Sequence, residues 1–199
     1  MTRSAARSRS TKETTVSVRV DLDGTGATKV STGLPFFDHM LTQLGRHGGL
    51  DLNVTADGDL EVDAHHTVED VGLALGDCVR EALGDKVGVR RFASIDLPLD
   101  EALISVALDL SGRPFLVYDV DIAGRADPGP LGAPGFQPQL AEEFWRAFVM
   151  TSGITMHVRM LSGRNTHHIL EATFKAVARA LRQAIIVDGD VVPSTKGVL

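Results

Sequence analysis

The sequence predicts an α+β fold built from two copies of a ββαβα half-domain related by a pseudo-twofold axis, with the sheets outside and the helices packed between them. Three observations predict it. Residues 13–24, "ETTVSVRVDLDG", match residues 101–112, "EALISVALDLSG", at a shift of 101 − 13 = 88, so that Glu13, Ser17, Val18, Asp21, Leu22 and Gly24 meet Glu101, Ser105, Val106, Asp109, Leu110 and Gly112. A His-His-x-x-Glu cluster occurs twice, as His65, His66 and Glu69 in "AHHTVED" and as His167, His168 and Glu171 in "NTHHILE", at a shift of 167 − 65 = 102. Each half also passes from segments of period-two alternation to segments with apolar residues three and four apart, the marks of strands and of amphipathic helices.

In the first half, residues 13–24 read as a strand entering a hairpin at its Gly-containing turn, with a returning strand near 27–32. A short helix near 36–46, a strand near 49–56, a further strand near 59–63 and a helix from His65 to about Leu83 follow. In the second half, 101–112 is again a strand, followed by a strand near 114–121, a helix near 139–151, a strand near 153–161 and a helix from about 166 to 186. On that last helix Leu170, Phe174, Val177, Ala178, Leu181 and Ile185 define a buried stripe. The stretch "RADPGPLGAPGFQPQ" is a Gly- and Pro-rich loop, and the difference between the two shifts, 102 − 88 = 14 residues, is expected there as an insertion. The organisation expected is a flexible basic tail over 1–11 and half-domains over 12–90 and 91–199, packed as one unit.

Composition narrows the function classes. At 199 residues the chain can bury one substantial core or two intimately packed halves. With 43% hydrophobic residues, no apolar run of membrane-spanning length and no apolar centre in "MTRSAARSRSTK", a soluble globular protein without a secretory signal or membrane partner is expected. A formal charge of −6 gives no reason to expect nucleic-acid binding. Cys78 is alone, so an internal disulfide framework is excluded and a reducing cytosol is the natural compartment; the residue reads as a small buried helix side chain.

A histidine pair at a helix start is more often solvated than functional, but a second copy in a chain with 7 histidines points to shared chemistry. At 100° per residue, His167, Glu171 and Lys175 share one edge of the last helix, and His168 is turned a step further, so adjacent imidazoles suit two ions better than one. His65, His66 and Glu69 repeat the pattern. His39 in "FFDHML" and His157 in "ITMHVRM" bring the set to six imidazoles and two carboxylates, which divide evenly into two sites of three His and one Glu. Such sites leave positions open on an octahedral ion, as a catalytic metal requires, and there is no Cys set for structural zinc. Taken singly, His39 reads as a helix-entry residue and His157 as a satisfied strand histidine; His47 reads as a loop residue. Because the clusters start helices in opposite halves, a twofold arrangement could hold them apart. Sites completed between subunits of an obligate oligomer are therefore expected.

The motifs "LDGTG", "GLPFFDHML", "AHHTVEDVGLALG", "LDEAL", "DLSGRP", "LSGRNTHHILEATFKAVARALRQA" and "PSTKGVL" resemble, in that order, those of the imidazoleglycerol-phosphate dehydratases of histidine biosynthesis, over roughly residues 12–199. The resemblance implies the ribosomal protein S5 domain 2-like duplicated fold and dehydration of D-erythro-1-(imidazol-4-yl)glycerol 3-phosphate to 3-(imidazol-4-yl)-2-oxopropyl phosphate. It further implies two Mn2+ per active site and a cytoplasmic homo-oligomer, a 24-mer with sites between subunits. Carried over, the metal ligands are His39, His65, His66, Glu69, His157, His167, His168 and Glu171. No carbonyl is present to delocalise the charge left by proton removal, and two cations on the ring nitrogens favour an imidazolate intermediate. The resemblance nominates Glu13 as base, with its repeat partner Glu101 read as structural. It assigns Arg91, Arg113, Lys175, Ser194 and Lys196 to the phosphate, with Gln43 a further substrate contact; Arg suits bidentate phosphate recognition. The loop over 124–138 carries no assigned role.

Two other classes compete. A dinuclear metallohydrolase of phosphate esters would draw on more aspartates and a bridging carboxylate. A non-catalytic metal-storage shell would leave Glu13 and the basic residues without a role.

Overall fold

The computed structural model describes residues 3–122 and 129–199. Two four-stranded sheets form the outer layers, each with the same order: β1(Ser4–Ser10), β2(Thr14–Asp21), β4(Asp51–Gly58) and β3(Thr28–Ser31) in one, and β5(Phe92–Leu99), β6(Ala102–Asp109), β8(Thr155–Ser162) and β7(Phe115–Asp119) in the other. Between them lie α1(Pro35–Gly48) and α2(His65–Leu83) of the first half and α3(Leu140–Ser152) and α4(Thr166–Ala184) of the second. The halves meet helix on helix, α1 against α4 and α2 against α3. The expected ββαβα order is therefore present twice, with one more strand at the head of each half.

The central strands follow the sequence pattern. Thr14, Val16, Val18 and Val20 of β2, and Ala102, Ile104, Val106 and Leu108 of β6, alternate inward onto the helices and are buried. Trp145, Phe144 and Phe148 of α3 and Phe174 of α4 fill the space between the layers, with Trp145 and Phe174 centroids 4.7 Å apart. The helices have recognisable ends. Pro35 opens α1, and Gly49 and Gly153 close α1 and α3 with φ of 65° and 70°.

Five sequence expectations need correction. Residues 4–10 belong to no flexible tail; they form β1, paired antiparallel with β2 from Ser4↔Asp21 to Ser10↔Thr15 and tied to α2 by Arg7–Glu81 and Arg9–Asp70 ion pairs. Its inward contribution is only Ala5, so no alternation marked it; its backbone ladder supplies the pairing instead. Residues 92–99 likewise form β5, the true hairpin partner of β6. The turn after Gly24 is not a hairpin. Asp51 accepts the backbone N–H groups of Thr25, Gly26 and Ala27 at 2.7–3.1 Å, steering the chain across β4 so that β3 pairs parallel with β4. Residues 59–63 are turn rather than strand. His47 lies in the last turn of α1, not in a loop.

The duplication is also more finely indexed than two shifts suggested. The 88-residue shift holds through β3 and β7, where Thr28 and Leu116 sit opposite Leu52 and Met156. It becomes 153 − 49 = 104 at the helix-closing glycines Gly49 and Gly153, and 102 at the histidine pairs. The insertion is thus 104 − 88 = 16 residues between β7 and α3, and two residues are lost between β8 and α4. Residues 123–128, which include positions 124–128 of the loop read over 124–138, lie outside the described residues.

Candidate active site

The α4 cluster is the most assembled. Its helix is capped by Asn165, whose side chain accepts the His168 N–H at 3.2 Å, which places His167 and His168 in the first turn. Glu171, one turn on, reaches back to His167, with Nε2 and Oε2 2.9 Å apart. His39 arrives from α1, its Nε2 3.4 Å from the same oxygen. His39, His167 and Glu171 thus converge, their ligand atoms all within 4.8 Å of one another; among the described residues no other such trio is formed. Two imidazole nitrogens and one carboxylate oxygen aimed at one point are a fit for a divalent cation.

The surroundings prepare these groups. Lys175 donates to the other oxygen of Glu171 at 2.6 Å. Burial opposes ionisation of Glu171, yet hydrogen bonds from Lys175 and His167 hold its carboxyl down to about 2. Gln43, expected to touch substrate, stands instead between His39 Nδ1 at 3.4 Å and His47 Nε2 at 3.1 Å. Phe36 packs edge-on against His167 with centroids 5.2 Å apart.

At the start of α2 the same pattern recurs, more open. His65 Nε2 stands 4.0 Å from Glu69, and the His65 and His66 rings are turned 88° from each other, against 82° for His167 and His168. His66 Nδ1 faces both oxygens of Asp59 at 3.1 Å, while Glu13 is 3.9 Å away. His168 Nδ1 donates to Glu101 at 2.8 Å. That hydrogen bond, followed by those from the Asn165 and Arg164 N–H groups, holds the Glu101 carboxyl at about 2. Glu101, read as structural, is therefore bound to a site histidine, and Asp59 is a site residue that sequence reasoning missed.

The basic residues gather elsewhere. Arg91, Arg113, Ser194 and Lys196 line a pocket of roughly 600 Å3 with the last residues of the chain. Arg91 grips Asp109 through two nitrogens, at 2.7 and 3.1 Å, and donates to the Pro193 carbonyl at 2.7 Å, which ties that last segment to the sheet. Lys175, assigned with them, sits instead at Glu171.

His157 is not brought to either cluster. Met156 and Val158 of β8 are buried against the helices, so His157 points to the opposite face, flanked by Ala107 and Val117. The repeat points to a different residue as the counterpart of His39. At the 104-residue shift, His39 corresponds to Glu143 on α3 (39 + 104), and α3 packs on α2 as α1 packs on α4. The close approaches match: a Cβ on Gly48 would lie 3.5 Å from Ala178 O, and one on Gly76 would lie 3.0 Å from Ser152 N, which are counterpart positions. The signal was in the sequence, but reading it required the register of α1 and α3.

Fold and site together define an internally duplicated α+β protein whose reactive groups are imidazoles and carboxylates at the starts of two repeated helices. Residues 32–181 match the family model described as imidazoleglycerol-phosphate dehydratase. Proteins of that name from Moorella thermoacetica, 52% identical with all of both chains covered, and Acidothermus cellulolyticus, 54% identical over 99% of this chain and 93% of its own, are similar throughout. The chloroplastic imidazoleglycerol-phosphate dehydratase 1 of Arabidopsis thaliana is 53% identical over 96% of this chain and 70% of its own. Crystal structures of the enzymes from Pyrococcus furiosus, in complex with (S)-C348, and Staphylococcus aureus superpose with TM-scores of 0.83 and 0.81 at 37% and 34% identity, covering 97% and 92% of this chain and 100% and 99% of theirs. The chain belongs to the imidazoleglycerol-phosphate dehydratase family. It is a hydro-lyase, an enzyme of histidine biosynthesis.

Proposed function

We propose that the chain dehydrates D-erythro-1-(imidazol-4-yl)glycerol 3-phosphate to 3-(imidazol-4-yl)-2-oxopropyl phosphate in the cytoplasm, at a two-manganese site completed between subunits of a homo-oligomer, a 24-mer. The observation that carries the reading is the convergence of His39, His167 and Glu171 on one point, while His65, His66 and Glu69 form no comparable trio among the described residues. Half the ligand set is assembled in one chain and half is presented open, which suits completion by a neighbouring copy.

The residues suited to hold the two ions are His39, His167, Glu171 and His168 on the α1–α4 side, and His65, His66 and Glu69 on the α2 side. Glu143 takes the place expected for His157, because it is the repeat counterpart of His39 whereas His157 faces away. The bound cations supply Lewis acidity that lets the substrate's imidazole ring accept an electron pair. Glu13, 55% exposed at the head of β2 and close to His66, takes the proton from the second carbon, next to the one that joins the ring. The hydroxyl leaves from the carbon that joins the ring, the C–H electron pair forms the double bond between the two carbons, the proton and hydroxide removed make up the water lost, and the resulting enol becomes the ketone. Arg91, Arg113, Ser194 and Lys196 bind the phosphate, and Arg91, already braced by Asp109, presents its remaining N–H groups without further ordering. Incubation of manganese-loaded protein with the substrate tests the reading. Formation of the oxo product supports it; phosphate release without that product favours a phosphate-ester hydrolase and sinks it.

A further inference from the structure

We infer that Asp59 and Glu101 are positioning residues for His66 and His168, and that the hold of Asp59 on His66 leaves Glu13 free to act on substrate. The inference rests on the ligand assignment above and extends it to three carboxylates, of which the repeat equates two, Glu13 and Glu101.

The two second histidines of the repeated pairs, His66 and His168, are counterparts. Each directs Nδ1 at a carboxylate of its own chain, at 3.1 Å to Asp59 and 2.8 Å to Glu101. A carboxylate at Nδ1 places the ring proton there, fixes the plane of the ring and leaves Nε2 with its lone pair for a metal ion. Glu101 is itself oriented: one oxygen accepts the N–H groups of Arg164 at 3.1 Å and Asn165 at 2.7 Å, so the other is presented to His168.

The carboxylates that do this are not counterparts. The repeat partner of Glu101 is Glu13, and Glu13 stands 3.9 Å from His66, beyond hydrogen-bonding distance. Its place is taken by Asp59, from the acidic connection "GDLEVDA" between β4 and α2. The connection between β8 and α4 in the other half, "GRN" after Ser162, carries no carboxylate, so there Glu101 holds Nδ1 of the histidine, while Asp100 lies 3.8 Å from its Nε2, beyond hydrogen-bonding distance. One duplicated glutamate has thus kept an orienting role and the other has been relieved of it. Asp59 is only 19% exposed, whereas the Glu13 side chain is 55% exposed and open to a ligand.

The test is a manganese titration of the metal-free assembled enzyme, followed by the loss of the free-ion electron paramagnetic resonance signal. Asp59→Ala and Glu101→Ala are expected to weaken manganese binding by roughly 10–100-fold, and Asp59→Asn and Glu101→Gln, which keep an acceptor oxygen, to recover part of it. Glu13→Ala is expected to bind manganese within about twofold of the parent, since its carboxylate orients no ligand. Circular dichroism and melting of each metal-free variant show whether the fold is kept. Parental affinity in Asp59→Ala and Glu101→Ala, with affinity lost in His66→Ala and His168→Ala, overturns the positioning roles alone. Parental affinity in the histidine variants as well overturns the ligand assignment and this inference with it. A loss in Glu13→Ala equal to that in Asp59→Ala overturns the division of labour between the two.

Discussion

Lys175 Nζ lies 2.6 Å from Glu171 Oε1, one turn along α4, leaving the other Glu171 oxygen to face His167 and His39. The pair settles the charge of a largely enclosed carboxylate before any metal arrives. Its folded value, about 2, lies below the ordinary 4.5, so the stabilisation it brings is present above the ordinary value and is lost as pH falls through the folded one. In the metal-free protein, Lys175→Met should therefore shift the acid-unfolding midpoint upward, toward the ordinary carboxylate range. An unchanged midpoint by circular dichroism would show that the pair carries no linkage.

Glu13→Gln should leave metal content and assembly intact and lower kcat by about 10²–10⁴-fold, the range for loss of a general base. Steady-state kinetics beside metal analysis check it. Near-parental turnover means another group takes the proton.

Glu143→Ala should deplete metal while His157→Ala retains it, because only the former stands where His39 stands in the other half. Metal analysis of the two purified variants decides the matter. The reverse pattern would restore His157 as the ligand.

Gly76→Val should destabilise the protein by about 2–4 kcal/mol, since a side chain there meets Phe148 O and Thr151 Oγ1 across the α2–α3 crossing. Thermal denaturation measures it. Retained stability would mean that the helices can part at no cost.

Much was legible in the chain alone. Alternation in β2 and β6 and helical spacing in α4 reflect burial of one face, which depends on local periodicity, so the central strands and the helices could be read from composition along the sequence. The duplicated histidine pairs were equally plain, because a ligand cluster at i, i+1 and i+4 is a local pattern. What the tertiary structure decided is everything set by pairing across distance. β1 buries almost nothing and is held by its ladder to β2; β3 runs parallel to β4 because Asp51 captures the turn before it. That His157 faces away from the helices, and that Glu143 is the α3 residue in register with His39, has the same origin: which side of β8 faces the helices, and which α3 residue meets α2, depend on registers between elements. Two glutamates identical in the repeat differ because an aspartate from a neighbouring turn reaches one histidine and not the other. The residue types set the available chemistry; the packing of two unequal copies decided which residue performs which part of it.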